Sequence, residues 1–320
     1  MHILITGGAG FLGSHLAKRL LKENHKVTVI DNFLTGSISN LPKDPDLTVI
    51  DKDVCDISYH SLHGLRKINQ IYHLASPASP NHHSPLSYHA LPMETMMVNT
   101  TGTLRMLELA EIHKAKFLFT STSEVYGDPL VHPQTEDYNG NVSTTGPRSV
   151  YDEAKRFGET LTAYHWRDRG LDARIVRIFN TFGPQMSGAD MRMIINFIQQ
   201  ALRNDDITIF GDGTQTRSLC YVDDTIDGII RLMNKDQTKG EVVNIGSTEE
   251  HTVTEYAHMV KKITGSSSTI VYKESLPTHD PKQRKADITK AKRLLDWSPT
   301  TPLEEGLSKT VEYVQVVLKK

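Results

Sequence analysis

A glycine-rich turn lies between a strand-like run and a helix-like run at the start of the chain, in the stretch ILITGGAGFLGSHLAKRL. Gly8, Gly10 and Gly13 fit the pattern G-x-G-x-x-G, and Gly7, Gly10 and Gly13 fit an equally spaced variant. Glycines at these positions allow a tight turn, close approach of the backbone to a pyrophosphate and close packing of the following helix, whose amide terminus attracts phosphate. The stretch therefore predicts a dinucleotide-binding strand-turn-helix unit.

Short β-rich apolar runs alternate with longer helical patterns through the first 180 residues. The predicted strands are residues 3–6, 27–30, 47–50, 70–74, 117–121 and 173–179, and the predicted helices include residues 11–22, 99–113 and 150–169. Such alternation predicts a parallel sheet with helices on both faces and ligands at the carboxyl ends of the strands. The expected fold class is α/β, a doubly wound parallel sheet of the Rossmann type.

The pattern loosens after residue 180, where glycine and proline are frequent, and this predicts a second, smaller lobe. The run EVVNIGS at residues 241–247 again reads as a buried strand, so we expect the chain to return to the first sheet. The predicted dinucleotide-binding domain is residues 1–179 with a returning segment at about 218–247. The predicted substrate-binding lobe comprises residues 180–217 and 248–320 and is interleaved with that domain.

Composition excludes several classes of partner. The 36 basic and 38 acidic residues give a net charge of -2, so we expect no binding to nucleic acid or to an anionic membrane. The two cysteines, Cys55 and Cys220, are too few for a disulfide framework and are expected to be reduced thiols. The first predicted strand begins almost at Met1, and no apolar run approaches membrane-spanning length, which together predict a cytoplasmic protein.

Asp31 follows the second predicted strand, 18 positions after Gly13. A carboxylate at about this separation binds the ribose hydroxyls of a dinucleotide, although an aspartate in a turn would also fit the pattern. No Arg or Lys occurs in the following NFLTGS, and Asp31 would repel a 2′-phosphate. The sequence therefore favours NAD over NADP.

Tyr151 and Lys155 are four residues apart, on one face of a predicted helix. A lysine ammonium beside a phenol favours the phenolate, which would let Tyr151 take a proton from a substrate hydroxyl. The pair follows the end of a central predicted strand, where Ser121 or Thr122 could bond the same oxygen. A surface tyrosine and a solvated lysine are the alternative interpretation of either residue alone.

The chain resembles the extended short-chain dehydrogenases/reductases and, within them, the UDP-glucuronate decarboxylases. The resemblance runs nearly end to end and rests on the motifs ITGGAGFLGSHL, DNFLTG, HLASPASP, TSTSEVYGDPLVHPQTEDY, GPRSVYDEAKR, RIFNTFGP, GDGTQTRS and DPKQRKADITKAKRLLDW. Related dehydratases carry an Asp-Glu pair where this chain has Ser123 and Glu124, and galactose-type epimerases usually lack the carboxylate. The Ser-Glu pair is the pattern of the decarboxylases, whereas a helix cap or turn is the alternative interpretation.

The resemblance implies conversion of UDP-glucuronate to UDP-xylose. Tyr151 would take the proton of the 4-hydroxyl while NAD takes the C4 hydride, and the β-keto acid would lose CO2. Glu124 with Arg284 could position a water or supply the acid that protonates C5, before the hydride returns to C4. The expected catalytic residues are Tyr151, Lys155, Glu124, Ser123, Thr122 and Arg284.

The resemblance also implies the binding residues. The cofactor would contact Gly7, Gly10, Phe11, Leu12, Gly13, Asp31, Asn32, Asp53, Val54, Leu74, Ala75, Asn99, Ser121, Tyr151 and Lys155. The UDP-sugar would contact Tyr88, Asn180, Arg192, Arg217 and Arg284, because an arginine fork suits pyrophosphate and carboxylate groups. No metal is expected, since the adjacent His82 and His83 have no Cys or carboxylate partner nearby and fit an exposed, flexible loop.

The sequence departs from the family pattern at a loop near residues 81–86, which is about five residues longer than expected, and at Gln185, Asn139 and Ala286. These departures concern substrate affinity and the identity of the sugar. Two other functions remain open: a UDP-uronate or UDP-hexose 4-epimerase, and a dinucleotide-sensing protein without catalysis. The resemblance implies a homodimer formed through the helices at residues 99–113 and 150–169.

Overall fold

A parallel sheet forms the centre of the chain, which the computed structural model describes at residues 1–58, 67–273 and 281–319. The strands are β1 (His2–Thr6), β2 (Lys26–Asp31), β3 (Leu47–Asp51), β4 (Gln70–His73), β5 (Lys116–Thr122), β6 (Ala173–Ile178), β7 (Thr181–Phe182), β8 (Ile207–Phe210), β9 (Thr216–Arg217), β10 (Cys220–Tyr221), β11 (Val242–Ile245), β12 (His251–Thr252) and β13 (Ile270–Lys273). Within the described ranges, seven of them pair in parallel in the order β11-β6-β5-β4-β1-β2-β3. This confirms the predicted doubly wound sheet.

Helices cover both faces of the sheet. The helices of the described residues are α1 (Phe11–Lys22), α2 (Pro92–Met97), α3 (Thr103–His113), α4 (Ser149–Asp168), α5 (Met193–Arg203), α6 (Val222–Asn234), α7 (Val253–Thr264), α8 (Thr289–Leu295) and α9 (Leu303–Leu318), of which α5, α7 and α9 lie outside the sheet faces. Successive residues of β1 point to opposite faces: Ile3 and Ile5 pack in the apolar cluster that contains Leu16 of α1, while Leu4 packs in the cluster that contains Met106 of α3. Each face therefore has its own core.

The later part of the chain forms a second group of elements beside the sheet. Helices α5, α7 and α9 pack against one another, and β8 pairs in parallel with β13. Helix α7 has a capping box between Thr252 and Glu255 at its start, and Gly265 caps its end in the left-handed conformation that favours glycine. Before these helices are complete, β11 pairs with β6 at the edge of the central sheet, so the chain returns to the sheet as expected from residues 241–247.

The predicted helix at residues 99–113 differs from the structure at its start. A π-helical turn, Val98–Gly102, joins α2 to α3, and the three segments follow one another without a break. The extra residue in this turn changes the direction of the side chains before α3. No helix in the described parts of the chain has the length and apolar character needed to span a membrane.

Candidate active site

A cavity of about 470 Å³ lies at the carboxyl ends of the sheet strands. The strand order reverses between β1 and β4, and a crevice outside the strand ends is expected at such a point. The predicted residues that line this cavity are Gly7, Gly10, Phe11, Leu12, Gly13, Asp31, Asn32, Asp53, Val54, Leu74, Ala75, Ser121, Thr122, Ser123, Glu124, Tyr151, Asn180, Arg192, Arg217 and Arg284. The fold thus brings both groups of predicted binding residues to one space.

The glycine-rich turn at one end of the cavity has no room for side chains. A Cβ added to Gly13 would lie 2.1 Å from the carbonyl oxygen of Gly7, and one added to Gly7 would lie 2.7 Å from the Cα of Ala75. Gly7 also has a φ of +68°. Gly7 lines the cavity and Gly8 does not, which favours the pattern of Gly7, Gly10 and Gly13 over the one that begins at Gly8. Gly10 is the N-cap of α1 and offers no side chain to its first amides, as a phosphate-binding terminus requires.

Asp31 ends β2 with its carboxylate in a fixed orientation. Its Oδ2 accepts a hydrogen bond from the amide of Ala9 at 2.9 Å, and its Oδ1 accepts one from the amide of Phe33 at 2.8 Å. Burial raises the pKa of this carboxyl, while the two amide hydrogen bonds act in the opposite direction. Beside it, the side-chain amide of Asn32 donates to Oδ2 of Asp53 at 2.8 Å. An oriented carboxylate at the cavity edge fits the ribose of NAD. Lys52, whose backbone amide donates to the Asp31 carbonyl at 3.2 Å, lines the same cavity.

Tyr151 lies at the start of α4, between Thr122 and Tyr88. A hydrogen bond joins its hydroxyl to the side chain of Thr122, and its ring stacks on that of Tyr88 with centroids 4.9 Å apart and planes 7° apart. Burial raises the pKa of Tyr151 above its ordinary value, and the nearby charge of Glu124 acts in the same direction. The phenol is therefore positioned for proton transfer but is protonated in this state.

Lys155 lies beneath Tyr151 and does not line the cavity. Its Nζ donates to the carbonyl of Thr120 at 2.8 Å and lies 5.8 Å from the centroid of the Tyr151 ring. Burial lowers the pKa of Lys155 to about 7, which reduces the positive charge that it offers. Burial therefore opposes the effect on the Tyr151 phenolate that the sequence predicts for this lysine, and that role stays a prediction.

Glu124 follows β5 and bonds two arginines. Arg148 donates to its Oε2 and Arg284 to its Oε1, and we call these three residues the Glu124 cluster. Burial alone would raise the pKa of Glu124, but the two guanidinium groups outweigh it and hold the pKa well below its usual range. Arg284 also donates to the carbonyl of Gly127 at 3.1 Å, and its contact with the hydroxyl of Ser123 is 3.4 Å. Glu124 is therefore a carboxylate in this structure.

Three other predicted site residues differ from the prediction in whether they line the cavity or in what they contact. Asn99 does not line the cavity, because the π-helical turn directs its amide to the Ser76 hydroxyl at 2.9 Å and to the Thr95 carbonyl at 2.8 Å. Tyr88 is fully buried behind Tyr151 and does not line the cavity either. Ser121 lines the cavity, but its hydroxyl donates to Glu159 at 2.5 Å rather than to Tyr151.

The predicted arginines of the second group of elements also line the cavity. Arg192 pairs with Asp190, with Nε 3.1 Å from Oδ2, and Arg217 donates to the carbonyl of Thr216 at 2.8 Å. Arg217 lies in β9, which pairs with β12. No cluster of His, Cys, Asp and Glu suited to a metal ion occurs among the described residues.

The long loop near residues 81–86 is bound to the segment ahead of Arg192. Ser79, Asn81 and Ser84 donate to the carbonyls of Asp190, Met191 and Ala189 at 2.8, 2.7 and 2.6 Å. His82 and His83 are exposed, as expected. The three hydrogen bonds attach the loop to the segment 189–191.

Two residues of the site were not predicted from the sequence, Arg148 and Asp152. Both lie in the run GPRSVYDEAKR, one turn of helix apart and on either side of Tyr151. Their nearness to Tyr151 was the available signal, but an arginine before a helix usually contacts solvent. Asp152 is buried at 4% exposure, and burial with the charge of Glu124 raises the pKa of its carboxyl to about 8.

Comparison with known proteins gives concordant results. The NAD dependent epimerase/dehydratase family matches residues 3–246. UDP-glucuronic acid decarboxylase 1 of Xenopus tropicalis is 46% identical over 99% of this chain and 73% of its own length. UDP-glucuronic acid decarboxylase 5 of Arabidopsis thaliana is 49% identical over 96% of this chain and 87% of its own length.

Solved structures of related proteins superpose over nearly the whole chain. UDP-glucose 4-epimerase of Thermotoga maritima with UDP-glucose has a TM-score of 0.90 at 31% identity, covering 99% of this chain and 100% of that one. UDP-glucuronic acid 4-epimerase of Bacillus cereus, in complex with UDP-glucuronic acid and NAD, has a TM-score of 0.87 at 34% identity with the same coverage.

Proposed function

Because the chain belongs to the NAD dependent epimerase/dehydratase family, we propose that it is an NAD-dependent enzyme that converts UDP-glucuronate into UDP-xylose and CO2. The observation that carries the proposal is the position of Glu124. It follows Ser123 at the end of β5, lines the same cavity as Tyr151 and is bonded by two arginines. The decarboxylases named above support the same activity.

In this proposal, some residues of the chain transfer protons and others bind the charged groups of the substrate. When bound, NAD supplies the acceptor for the C4 hydride, returns that hydride later and brings a positive charge that favours the Tyr151 phenolate. Tyr151 takes the proton of the sugar 4-hydroxyl, and the Thr122 hydroxyl orients it. Arg192 and Arg217 line the cavity, and in this proposal they bond the pyrophosphate and its flanking groups.

The 4-ketone makes the sugar a β-keto acid, since the carboxyl carbon is attached to C5, next to the ketone. The electrons of the broken C5–carboxyl bond pass to the ketone oxygen and give an enolate, whose oxygen Tyr151 can protonate or bond. C5 then takes one proton, so each turnover consumes a proton and releases CO2. Glu124 is ionised and bonded twice, which supports a role in positioning a water with Arg284 rather than in donating its own proton.

Product analysis tests the proposal directly. The purified protein with UDP-glucuronate and NAD should give a UDP-pentose that has lost the mass of CO2, with no net accumulation of NADH. In D2O the pentose should carry one stable deuterium at C5. A product of unchanged mass at a new chromatographic position would make the protein a 4-epimerase, and NAD binding without turnover would indicate a sensing role.

A homodimer is part of the same proposal. Phe157 and Tyr164 of α4 and Ile112 of α3 are each about half exposed, and Phe157 and Tyr164 are seven positions apart on one face of α4. Exposed apolar residues on adjacent helices are typical of an interface. The cytoplasmic location and the division into two interleaved domains stay predictions from the sequence.

A further inference from the structure

The backbone next to Arg284 is paired with a segment that lies far from it in the sequence. The amide of Gln134 donates to the carbonyl of Lys285 at 2.9 Å, and the amide of Asp287 donates to the carbonyl of Gln134 at 2.9 Å. These two hydrogen bonds form a parallel bridge between Gln134 and Ala286. Because the bridge begins one residue after Arg284, it affects the direction in which that side chain leaves the backbone.

The side chain of Gln134 adds to the same contact. Its Oε1 accepts a hydrogen bond from the amide of Lys285 at 2.9 Å, and its Nε2 donates to the carbonyl of Val131 at 2.9 Å. The second bond fixes the orientation of the side-chain amide, so that its oxygen faces Lys285. Gln134 is buried at 0% exposure. An apolar side chain in its place would leave the Lys285 amide without this bond.

Asn244 of β11 attaches the two paired segments to the central sheet. Its Nδ2 donates to the carbonyl of Gln134 at 3.0 Å and to that of Asp287 at 3.3 Å. Its Oδ1 accepts a hydrogen bond from the hydroxyl of Tyr126 at 2.8 Å. Tyr126 follows Glu124 by two positions. The segment after Arg284 and the turn that contains Glu124 are therefore held by one buried network.

The guanidinium of Arg284 bonds acceptors in the turn after β5. It donates to Oε1 of Glu124 and to the carbonyl of Gly127, the latter at 3.1 Å. The side chain is buried at 3% exposure, and its Nε has no hydrogen-bond partner among the described residues. A planar fork bonds its acceptors over a narrow range of angles, so a shift of the backbone at Arg284 would weaken both contacts.

We propose that Gln134 is a positioning residue: it holds residues 285–287 in register and thereby sets the Arg284 guanidinium against Glu124. The inference rests on the proposed function, in which Arg284 and Glu124 position the water that protonates C5. Gln134 does not line the cavity and acts through Arg284. Its effect is on the step that follows the loss of CO2, whereas oxidation by NAD and Tyr151 does not depend on it.

The test replaces Gln134 with methionine, an apolar side chain of similar length, and follows a single turnover with UDP-glucuronate and NAD. Gln134→Met should form NADH at the natural rate but accumulate it. Formation of the UDP-pentose should slow by roughly 10–10²-fold, the effect of a small displacement of a positioned group. Absorbance of the reduced nicotinamide and mass spectrometry measure the two rates.

Gln70→Met is the matched control, because Gln70 is also a buried glutamine with one donated and one accepted side-chain hydrogen bond. Its Nε2 donates to Asn234 at 2.9 Å, and its Oε1 accepts from the Tyr72 hydroxyl at 3.2 Å. Gln70 begins β4, at the end of the sheet opposite the cavity, and does not line the cavity. Both rates should be natural in this variant.

A double-mutant cycle separates positioning from a general loss of stability. Arg284→Lys keeps a positive charge beside Glu124 but loses the planar fork, so its rate should depend little on the exact path of residues 285–287. In this background Gln134→Met should slow UDP-pentose formation by less than about threefold. Gln134→Asn, which shortens the side chain by one methylene, enters the same cycle if the methionine variant does not fold.

The outcomes distinguish the inference from the function on which it rests. A natural chain that forms no UDP-pentose from UDP-glucuronate would overturn both. Three results would overturn the inference and leave the proposed function in place: equal slowing in the natural and Arg284→Lys backgrounds, NADH formation slowed as much as UDP-pentose formation, or loss of folding in both Gln134 variants.

Discussion

Tyr151 is held by a hydrogen bond at one end and by a stacked ring at its side, so its hydroxyl has one orientation. Thr122 fixes the oxygen and Tyr88 fixes the plane of the ring. The sequence predicted Tyr151 as the proton acceptor, with Lys155 as the group that lowers its pKa. The structure adds that burial works against the phenolate, so positive charge is needed at this site before Tyr151 can act as a base.

Replacing Tyr151 with phenylalanine removes the hydroxyl and keeps the stacked ring. We expect Tyr151→Phe to lower kcat by roughly 10²–10⁴-fold, the usual range for one general acid–base group, with little change in the affinity for NAD. Steady-state kinetics and fluorescence titration of NAD measure the two effects. Tyr313→Phe on α9, which lines no part of this cavity, is the control and should keep full activity.

Glu124 is the residue whose chemistry sequence reasoning left most open. The sequence allowed it to supply a proton or to position a water, and only the contact with both arginines decides for the ionised form. Arg148 could not be predicted as its partner. The two residues are 24 positions apart on segments whose approach depends on the packing of α4 against the end of β5.

Glu124→Gln should separate oxidation and loss of CO2 from the later protonation of C5. The amide cannot balance two guanidinium groups, and an uncompensated buried charge of this kind costs about 3 kcal/mol of stability. We expect kcat to fall by roughly 10²-fold while Tyr151 still supports oxidation, so that NADH accumulates in a single turnover. Absorbance of the reduced nicotinamide follows this directly, and an unchanged steady-state rate of UDP-pentose formation would contradict the role.

At the scale of elements, the strands were predicted more closely than the helix junctions. Every predicted strand of the first 180 residues agrees with the structure to within one residue at each end, because buried parallel strands give short, unbroken apolar runs. The π-helical turn Val98–Gly102 was not predicted. Its apolar spacing resembles that of an α-helix, and its extra residue depends on contacts that Asn99 makes with distant residues such as Ser76.

The turn from β1 to α1 gives a prediction at this scale. In Gly13→Ala the new Cβ would meet the Gly7 carbonyl at 2.1 Å, so α1 must move away from the turn. We expect NAD affinity to fall at least about tenfold and stability to fall by about 1–3 kcal/mol. Titration with NAD and urea unfolding measure both quantities. Gly102→Ala is the control, because its Cβ would find its nearest neighbour at an ordinary 3.4 Å.

His73 joins three elements and makes stability depend on pH. Its ring bonds Thr6 of β1 at 2.7 Å and Thr103 of α3 at 3.1 Å, and burial lowers its pKa to about 3. The unfolded chain, with a pKa near 6.5, therefore takes up the proton first. The stability that a neutral His73 contributes is complete above about pH 6.5 and is lost as the pH falls towards about 3.

Urea unfolding at a series of pH values tests this contribution. The free energy of unfolding should decline with falling pH more steeply in the natural chain than in His73→Asn, which is less stable at neutral pH because it loses hydrogen bonds. His82→Asn in the exposed loop should leave the slope unchanged. Equal slopes for the natural chain and His73→Asn would contradict the assignment.

At the scale of the whole molecule, the exposed apolar face of α4 provides a test of the proposed homodimer. If the chain is a homodimer through α3 and α4, Phe157→Arg should convert a particle of about twice 35.9 kDa into a monomer, because a charge replaces a buried apolar contact. Light scattering after gel filtration measures the mass. Val316→Arg places the same charge on a half-exposed position of α9 and should leave the dimer intact. A monomeric natural chain would disprove the interface.

The sequence predicted the layers of the molecule but not how the later segments meet the first. Alternating strands and helices gave the sheet, and EVVNIGS gave its returning edge strand. The contacts of Arg284 with Glu124 and Gly127 depend instead on the path of the chain between the two groups of elements. Local spacing contains no information about such a path, so these residues could be placed together only by resemblance.

The distance along the chain between Glu124 and Arg284, 160 positions, also orders the events of translation. A ribosome completes the glycine turn, Glu124, Arg148 and Tyr151 long before it reaches Arg284. A nascent chain, or one cut short by a premature stop codon, therefore has its tyrosine and its carboxylate but only one of the two guanidinium groups. The part of the site assigned to decarboxylation is the last that protein synthesis completes.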